Sequence, residues 1–243
     1  MKKHHFSRIV FALSLSLIST ASLAFTGKEV AEMTVTVCSG GTKVAESFTA
    51  KVRGELLKIF GEASANATLE SATSSLGALF DQKEKDPHFS QNYKEYVACV
   101  IALIAPKLPG KMKIEPPGSL ARPGDVILGT WREVGCASLL PESGKCSGEN
   151  MYLGTFVVAK TNGGYTISAR DQAKSKNIKN SIGIYNVKSD GTSWTFSSNV
   201  TGESVHEDVV GNFDLRRASE NMFAGIISVD GGEVAITKWV RIQ

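Results

Sequence analysis

Four cysteines, a pair of isolated histidines and a charged run near the C-terminus are the residues in this chain whose types could do chemistry. His206-Glu207-Asp208 places an imidazole beside two carboxylates, but extended backbone sends adjacent side chains to opposite faces. A solvated loop before Val209 is the simpler reading than a metal or acid–base site. His88 follows Pro87 in a charged connection and is expected at the surface. A cysteine nucleophile paired with either histidine would need an unpaired, reactive thiol, and Cys99 sits in an apolar helical period instead. The chain contains no Gly-x-Ser-x-Gly or phosphate-loop pattern, and Gly40-Gly41 is too little to cradle a phosphate. Asp214, Arg216 and Arg217 could line a polar groove, since Asp214 and Arg216 share a strand face. An outward charged face is the plainer alternative. These residues assign no catalytic group, no cofactor and no metal site, so a non-enzymatic role is favoured over a hydrolase with an unrecognised active site.

The elements that position these residues begin with an N-terminal address. Lys2 and Lys3 precede an apolar run, Ile9 to Leu23, which ends in Ser22-Leu23-Ala24. A basic tip, an apolar stretch and small residues before the cut form the layout of a secretory signal peptide over residues 1–24. Cleavage is expected after Ala24, with Ala21 as the alternative. The mature chain, Phe25 to Gln243, loses Lys2, Lys3 and Arg8. Its basic residues fall from 27 to 24, equal to its 24 acidic residues. The basic balance thus belongs to the leader and gives no argument for a nucleic-acid partner. The strongest later candidate for a membrane span, Val97–Leu108, is short and interrupted by Pro106. The expected address is the bacterial periplasm or the exterior.

Export places Cys38, Cys99, Cys136 and Cys146 in an oxidising compartment, where an even count favours disulfides. Cys136 and Cys146 bracket a short loop with Pro141 and Gly144, leaving Cys38 to pair with Cys99. Buried thiols or a bridge between Cys38 and Cys136 remain open alternatives. No two cysteines have the close spacing common in zinc sites.

The fold class expected is α+β. Residues 25–108 form a helical domain, 109–118 a Pro/Gly-rich linker and 119–243 an antiparallel, eight-stranded β-barrel. Val44, Phe48, Val52, Leu56, Ile59 and Phe60 recur at helical steps, with Ser39 or Thr42 as possible cap and Gly61 as possible stop. Ala67–Phe80 and Asn92–Ile104 carry the same period, separated by a polar loop over Asp81–His88. Met33–Val37, with Val35 and Val37 alternating, reads as a short extended segment. The helical residues supply few large side chains, so a thin core is expected. Beyond residue 118 the period becomes two. Candidate strands are Asp125–Arg132, Met151–Lys160, Tyr165–Arg170, Ile182–Lys188, Thr192–Ser197, Val209–Arg216, Met222–Val229 and Val234–Ile242. Asn162-Gly163-Gly164, Ser189-Asp190-Gly191 and Asp230-Gly231-Gly232 supply hairpin turns. Closure into a barrel would remove exposed edges; an open sandwich is the alternative.

Gly129-Thr130-Trp131 in the first strand and Trp239-Val240-Arg241 in the last resemble the lipocalin-like, or calycin, barrels. The resemblance covers residues 120–243. It implies a Gly-x-Trp motif that opens the barrel and a basic residue of the closing strand packed across the tryptophan, here Arg241 on Trp131. Tyr152, Phe156, Trp194, Phe196 and Phe223 are candidates to line the interior. An open interior would take a small apolar ligand. A filled one would leave an exported accessory protein that meets a protein partner through its helical module and barrel. The sequence leaves the oligomeric state and the identity of any partner open.

Overall fold

A capping box starts the first helix. In the computed structural model, which describes residues 24–61, 66–84, 91–110, 126–137, 151–162, 164–169, 182–189, 193–200 and 209–242, Thr26 precedes α1 (Gly27–Ser39). Its hydroxyl accepts from Glu29 N at 3.3 Å, and the Glu29 carboxylate accepts from Thr26 N at 2.7 Å. The expected extended segment Met33–Val37 therefore lies inside a helix. Val30, Met33, Thr34, Val37 and Cys38 follow helical steps, but Ala31 and Val35 are buried as well. A helix buried on several sides loses the one-faced pattern that betrays helices in sequence.

Three further helices follow: α2 (Glu46–Ile59), α3 (Leu69–Glu84) and α4 (Gln91–Ile104). Phe48, Val52, Leu56 and Ile59 form the buried face of α2. Its N-cap is Ala45, not Ser39 or Thr42; it makes no side-chain capping bond. Its last turn closes through Phe60 N–H to Leu56 O. Helix α3 continues through Asp81–Glu84, which the polar composition predicts as loop. A single turn of 3-10 helix, Ala105–Lys107, admits Pro106 after α4 because the first turn needs no intrahelical donor.

The strands are β1 (Gly129–Ala137), β2 (Met151–Thr161), β3 (Gly164–Ala169), β4 (Ile182–Ser189), β5 (Ser193–Val200), β6 (Val209–Ser219), β7 (Met222–Val229) and β8 (Gly232–Arg241). The first begins later than the expected Asp125 and runs past Arg132, with the Gly-x-Trp triplet opening it. Each strand pairs antiparallel with the next, and the sheet curls until β8 pairs with β1 through Trp131–Arg241 to Ala137–Ala235. Alternation sends one set of side chains inward, including Trp131, Phe156, Trp194, Phe196, Leu215, Phe223 and Trp239.

The other set on β7 and β8 is apolar too. Met222, Ala224, Ile226 and Ile236 join Cys136 and the buried residues of all four helices in one continuous cluster. The helices pack on one another and complete their core against the outer wall of the barrel. The expected linker lies outside the described residues beyond Gly110. Cys38 and Cys99 form a disulfide between the last turn of α1 and α4. Cys136 is also disulfide-bonded; Cys146, its expected partner, lies outside the described residues.

One charge sits within this apolar layer. Lys238 on β8 is 1 % exposed. Its Nζ donates to Cys38 O at 2.9 Å, Gly40 O at 2.6 Å and Thr42 Oγ1 at 3.3 Å. It thereby satisfies carbonyls that the end of α1 leaves without intrahelical partners, at the negative end of the helix dipole. Burial pulls its ammonium down to about 8, and the Glu95 carboxylate opposes that shift. An unfolded lysine holds its proton up to about pH 10.4. Between these values the unfolded chain binds more protons, so the Lys238 contribution to stability rises with pH across that window. Denaturant titrations at pH 7.5 and 10.5 should show the wild type gaining on Lys238→Met by about 3 kcal/mol. Replacing both Cys38 and Cys99 with alanine should cost about 2–4 kcal/mol in the same assay at neutral pH.

Candidate functional site

The barrel has a plugged end. Trp131 is fully buried, and its indole Nε1 donates to Ile127 O at 2.8 Å. Arg241 lies over it, with Cζ 4.3 Å from the ring centroid. The guanidinium donates from Nη1 to Leu128 O at 2.5 Å and from Nη2 to Val126 O at 2.6 Å. Here a cation covers an aromatic face and also ties down the segment that enters the barrel. Gly129 is necessary for this approach: its φ is 133°, and a Cβ there would strike Arg241 Nη1. The Arg241 ionisation is pulled down by burial and by Arg217, and Glu220 opposes. The Trp131 indole N–H and both Arg241 Nη groups are engaged in closure, so the plug is a structural device.

Above it, aromatic side chains of the described residues pack together inside the barrel. Phe156 meets Trp239 edge-on at 4.5 Å, Phe196 stacks on Phe213 at 4.7 Å, and Phe223 meets Trp131 edge-on at 5.4 Å. Trp194, 1 % exposed, belongs to the same cluster. Of the candidate lining residues, Phe156, Trp194, Phe196 and Phe223 thus pack with one another and with further aromatics. The side chain of Tyr152 lies outside the described residues. Glu133, which no local sequence pattern singles out, accepts from Thr237 Oγ1 at 2.7 Å and Trp239 Nε1 at 3.0 Å. These bonds hold the Trp239 indole within the aromatic cluster.

Among the described residues a cleft of about 470 Å³ lies across β4–β7. Register explains its polarity. Lys188, Thr195 and Asp214 are successive cross-strand partners, and so are Ser197, Asn212 and Ser228. Cross-strand partners share a face, so two polar rows stand side by side. Phe196 and Phe213, the intervening pair, also contact the cleft. The Ser197 hydroxyl donates to Asn212 Oδ1 at 2.9 Å. Arg216 Nη2 pairs with Asp214 Oδ2 at 3.0 Å, while Asp214 Oδ1 is buried and has no hydrogen-bond partner among the described residues.

Asp214 and Arg216, expected to share a face, therefore meet at this cleft's edge. Arg217 is turned to the opposite face by alternation and is 6 % exposed. Ammonium, carboxylate, amide and hydroxyl groups in one cleft can bind a polar segment by hydrogen bonds and charge. Thr195 and Ser197 alternate visibly in sequence, and so do Asn212 and Asp214. Their meeting depends on β5–β6 register, which no local pattern encodes. His88 and His206 lie outside the described residues. Among the described residues no group of three His, Cys, Asp or Glu side chains is placed to hold a metal.

No known family model matches the chain, and no curated protein matches it. The site must therefore be read from its own geometry. For the plug, Arg241→Leu should lose about 2–3 kcal/mol in denaturant titration by stranding the Val126 and Leu128 carbonyls. Arg241→Lys, which keeps charge but loses the planar fork, should fall between that variant and the wild type.

Proposed function

We propose that this chain is an exported accessory protein that binds a polar segment of a protein partner in the β4–β7 cleft, on a lipocalin-like barrel. The observation that carries this reading is the contrast between the two spaces. Among the described residues the interior holds mutually packed aromatic side chains, whereas the cleft presents unlike polar groups from adjacent strands. A small apolar ligand in the barrel centre would have to displace the aromatic cluster, so that alternative has less support. Export is supported by the leader-like N-terminus and by the Cys38–Cys99 disulfide. Among the described residues no helix is long and apolar enough to cross a membrane. The lipocalin-like assignment is supported by Gly129, Trp131 and Arg241 acting together at one end of the barrel.

Photo-crosslinking in the exporting cell tests the cleft. A photoreactive residue at exposed Lys188 should give one discrete protein adduct, and the same residue at exposed Lys51 on α2 should not. Asn212→Trp, which fills the cleft, should reduce the Lys188 adduct at least about tenfold, the loss that about 1.4 kcal/mol of binding free energy produces. Equal labelling from Lys188 with and without Asn212→Trp would reject the cleft as the binding site. An apolar molecule retained in native mass spectra of both forms would favour the barrel interior instead.

A further inference from the structure

The backbone nitrogen of Phe25 donates to Glu233 Oε2 at 2.7 Å, across 208 residues of sequence. This is the nitrogen that cleavage after Ala24 would convert from an amide into an α-amino group. We propose that the Ala24–Phe25 bond is a processing site, and that hydrolysis there creates an ion pair between the new Phe25 α-ammonium and the Glu233 carboxylate. The processing half rests on the export reading above; the ion-pair half rests on the geometry.

The reaction is simple peptide hydrolysis. Water adds across the bond, the leader departs with a carboxylate on Ala24, and Phe25 keeps a protonated amine. Several observations fix that amine in place. Ala24 is exposed, whereas the Phe25 side chain is half-buried and packs against the core shared by helices and barrel. Thr26 is locked as the cap of α1. Glu233 belongs to β8 and is itself held by Lys107 Nζ, both side chains being less than one-fifth exposed.

Charge decides what the cleavage accomplishes. An ammonium just ahead of a helix meets the positive end of the helix dipole, which opposes it. Glu233 counters that repulsion, and Glu29 in the first turn adds a second carboxylate. Lys107 competes for Glu233, so the carboxylate is shared between two cations. A neutral amide hydrogen bond becomes a charge-assisted one, the stronger class. The precursor can make the first; only the processed chain can make the second. Processing thereby tightens the junction between the start of α1 and β8.

The test is a stability cycle on disulfide-intact protein. Chains beginning at Phe25 are compared with chains retaining Leu23-Ala24, each with Glu233 or with Glu233→Gln. The chain beginning at Phe25 should melt about 3–8 °C above the extended one, and the gap should close in Glu233→Gln. Lys107 is present in all four arms and cancels. Should Glu233→Gln fail to fold, Nα-acetylation of Phe25 replaces it and should lower the Tm to that of the extended chain. Equal melting of the two Glu233 chains overturns the ion pair, as does a gap that survives loss of the carboxylate or of the α-amino charge.

N-terminal sequencing of protein recovered from an exporting bacterium tests the cut itself, with Phe25 expected first. A first residue of Ser22, which cleavage after Ala21 would leave, overturns the processing site while leaving export intact. An uncleaved chain retained in the cytoplasm overturns both the site and the export reading, and the melting cycle still judges the ion pair.

Discussion

The ammonium of Lys238 is the point through which helices and barrel are joined. It emerges from β8 between Ile236 and Val240 and ends on the terminal carbonyls of α1. Cys38 accepts through its carbonyl and bridges through its sulfur to Cys99 on α4. Helix α4 in turn packs on β6 and β7. Barrel, α1, α4 and barrel thus form a closed mechanical circuit. A shift in any one part must break a hydrogen bond, strain a covalent bridge or open the apolar layer. A charge in such a layer is tolerated because its three donors all find oxygen acceptors.

Much of the β architecture was legible because half of each strand's pattern is fixed by the interior. Trp194 and Phe196 alternate against Ser193, Thr195 and Ser197. Turn residues at Asp230-Gly231 set the β7–β8 hairpin. The chain was less legible where an element is buried on more than one side. Val35 and Val37 look like strand residues, and only the Thr26–Glu29 box marks the helix that contains them. Lys238 was illegible for a different reason. Its period places it on the outer face of β8, where a lysine ordinarily meets water; the fact that α1 ends there is tertiary information.

The candidate site divides in the same way. Gly129, Trp131 and Arg241 could be paired from sequence because a known motif links them. The cleft could not, because its rows are assembled from four strands and none of its residues is distinctive alone. The plug and the cleft also differ physically. At the plug Trp131 Nε1, Arg241 Nη1 and Arg241 Nη2 each reach a carbonyl, and the indole has a cation over it. At the cleft, Asp214 Oδ1 is buried with no hydrogen-bond partner among the described residues, and the Lys188 side chain is exposed.

Among the described residues, the β3–β4 ladder has the fewest registered pairs of any in the barrel. Its registered pairs are Tyr165–Ile184, Thr166–Gly183 and Ile167–Ile182. The helical layer packs on β1, β6, β7 and β8, on the far side from this ladder. The circular wall therefore has a braced arc and a seam. Thermal opening should follow the seam, so that the sheet hinges apart between β3 and β4 while the braced arc and its disulfide keep their shape. Such a ring behaves less like a rigid cylinder than like a cuff.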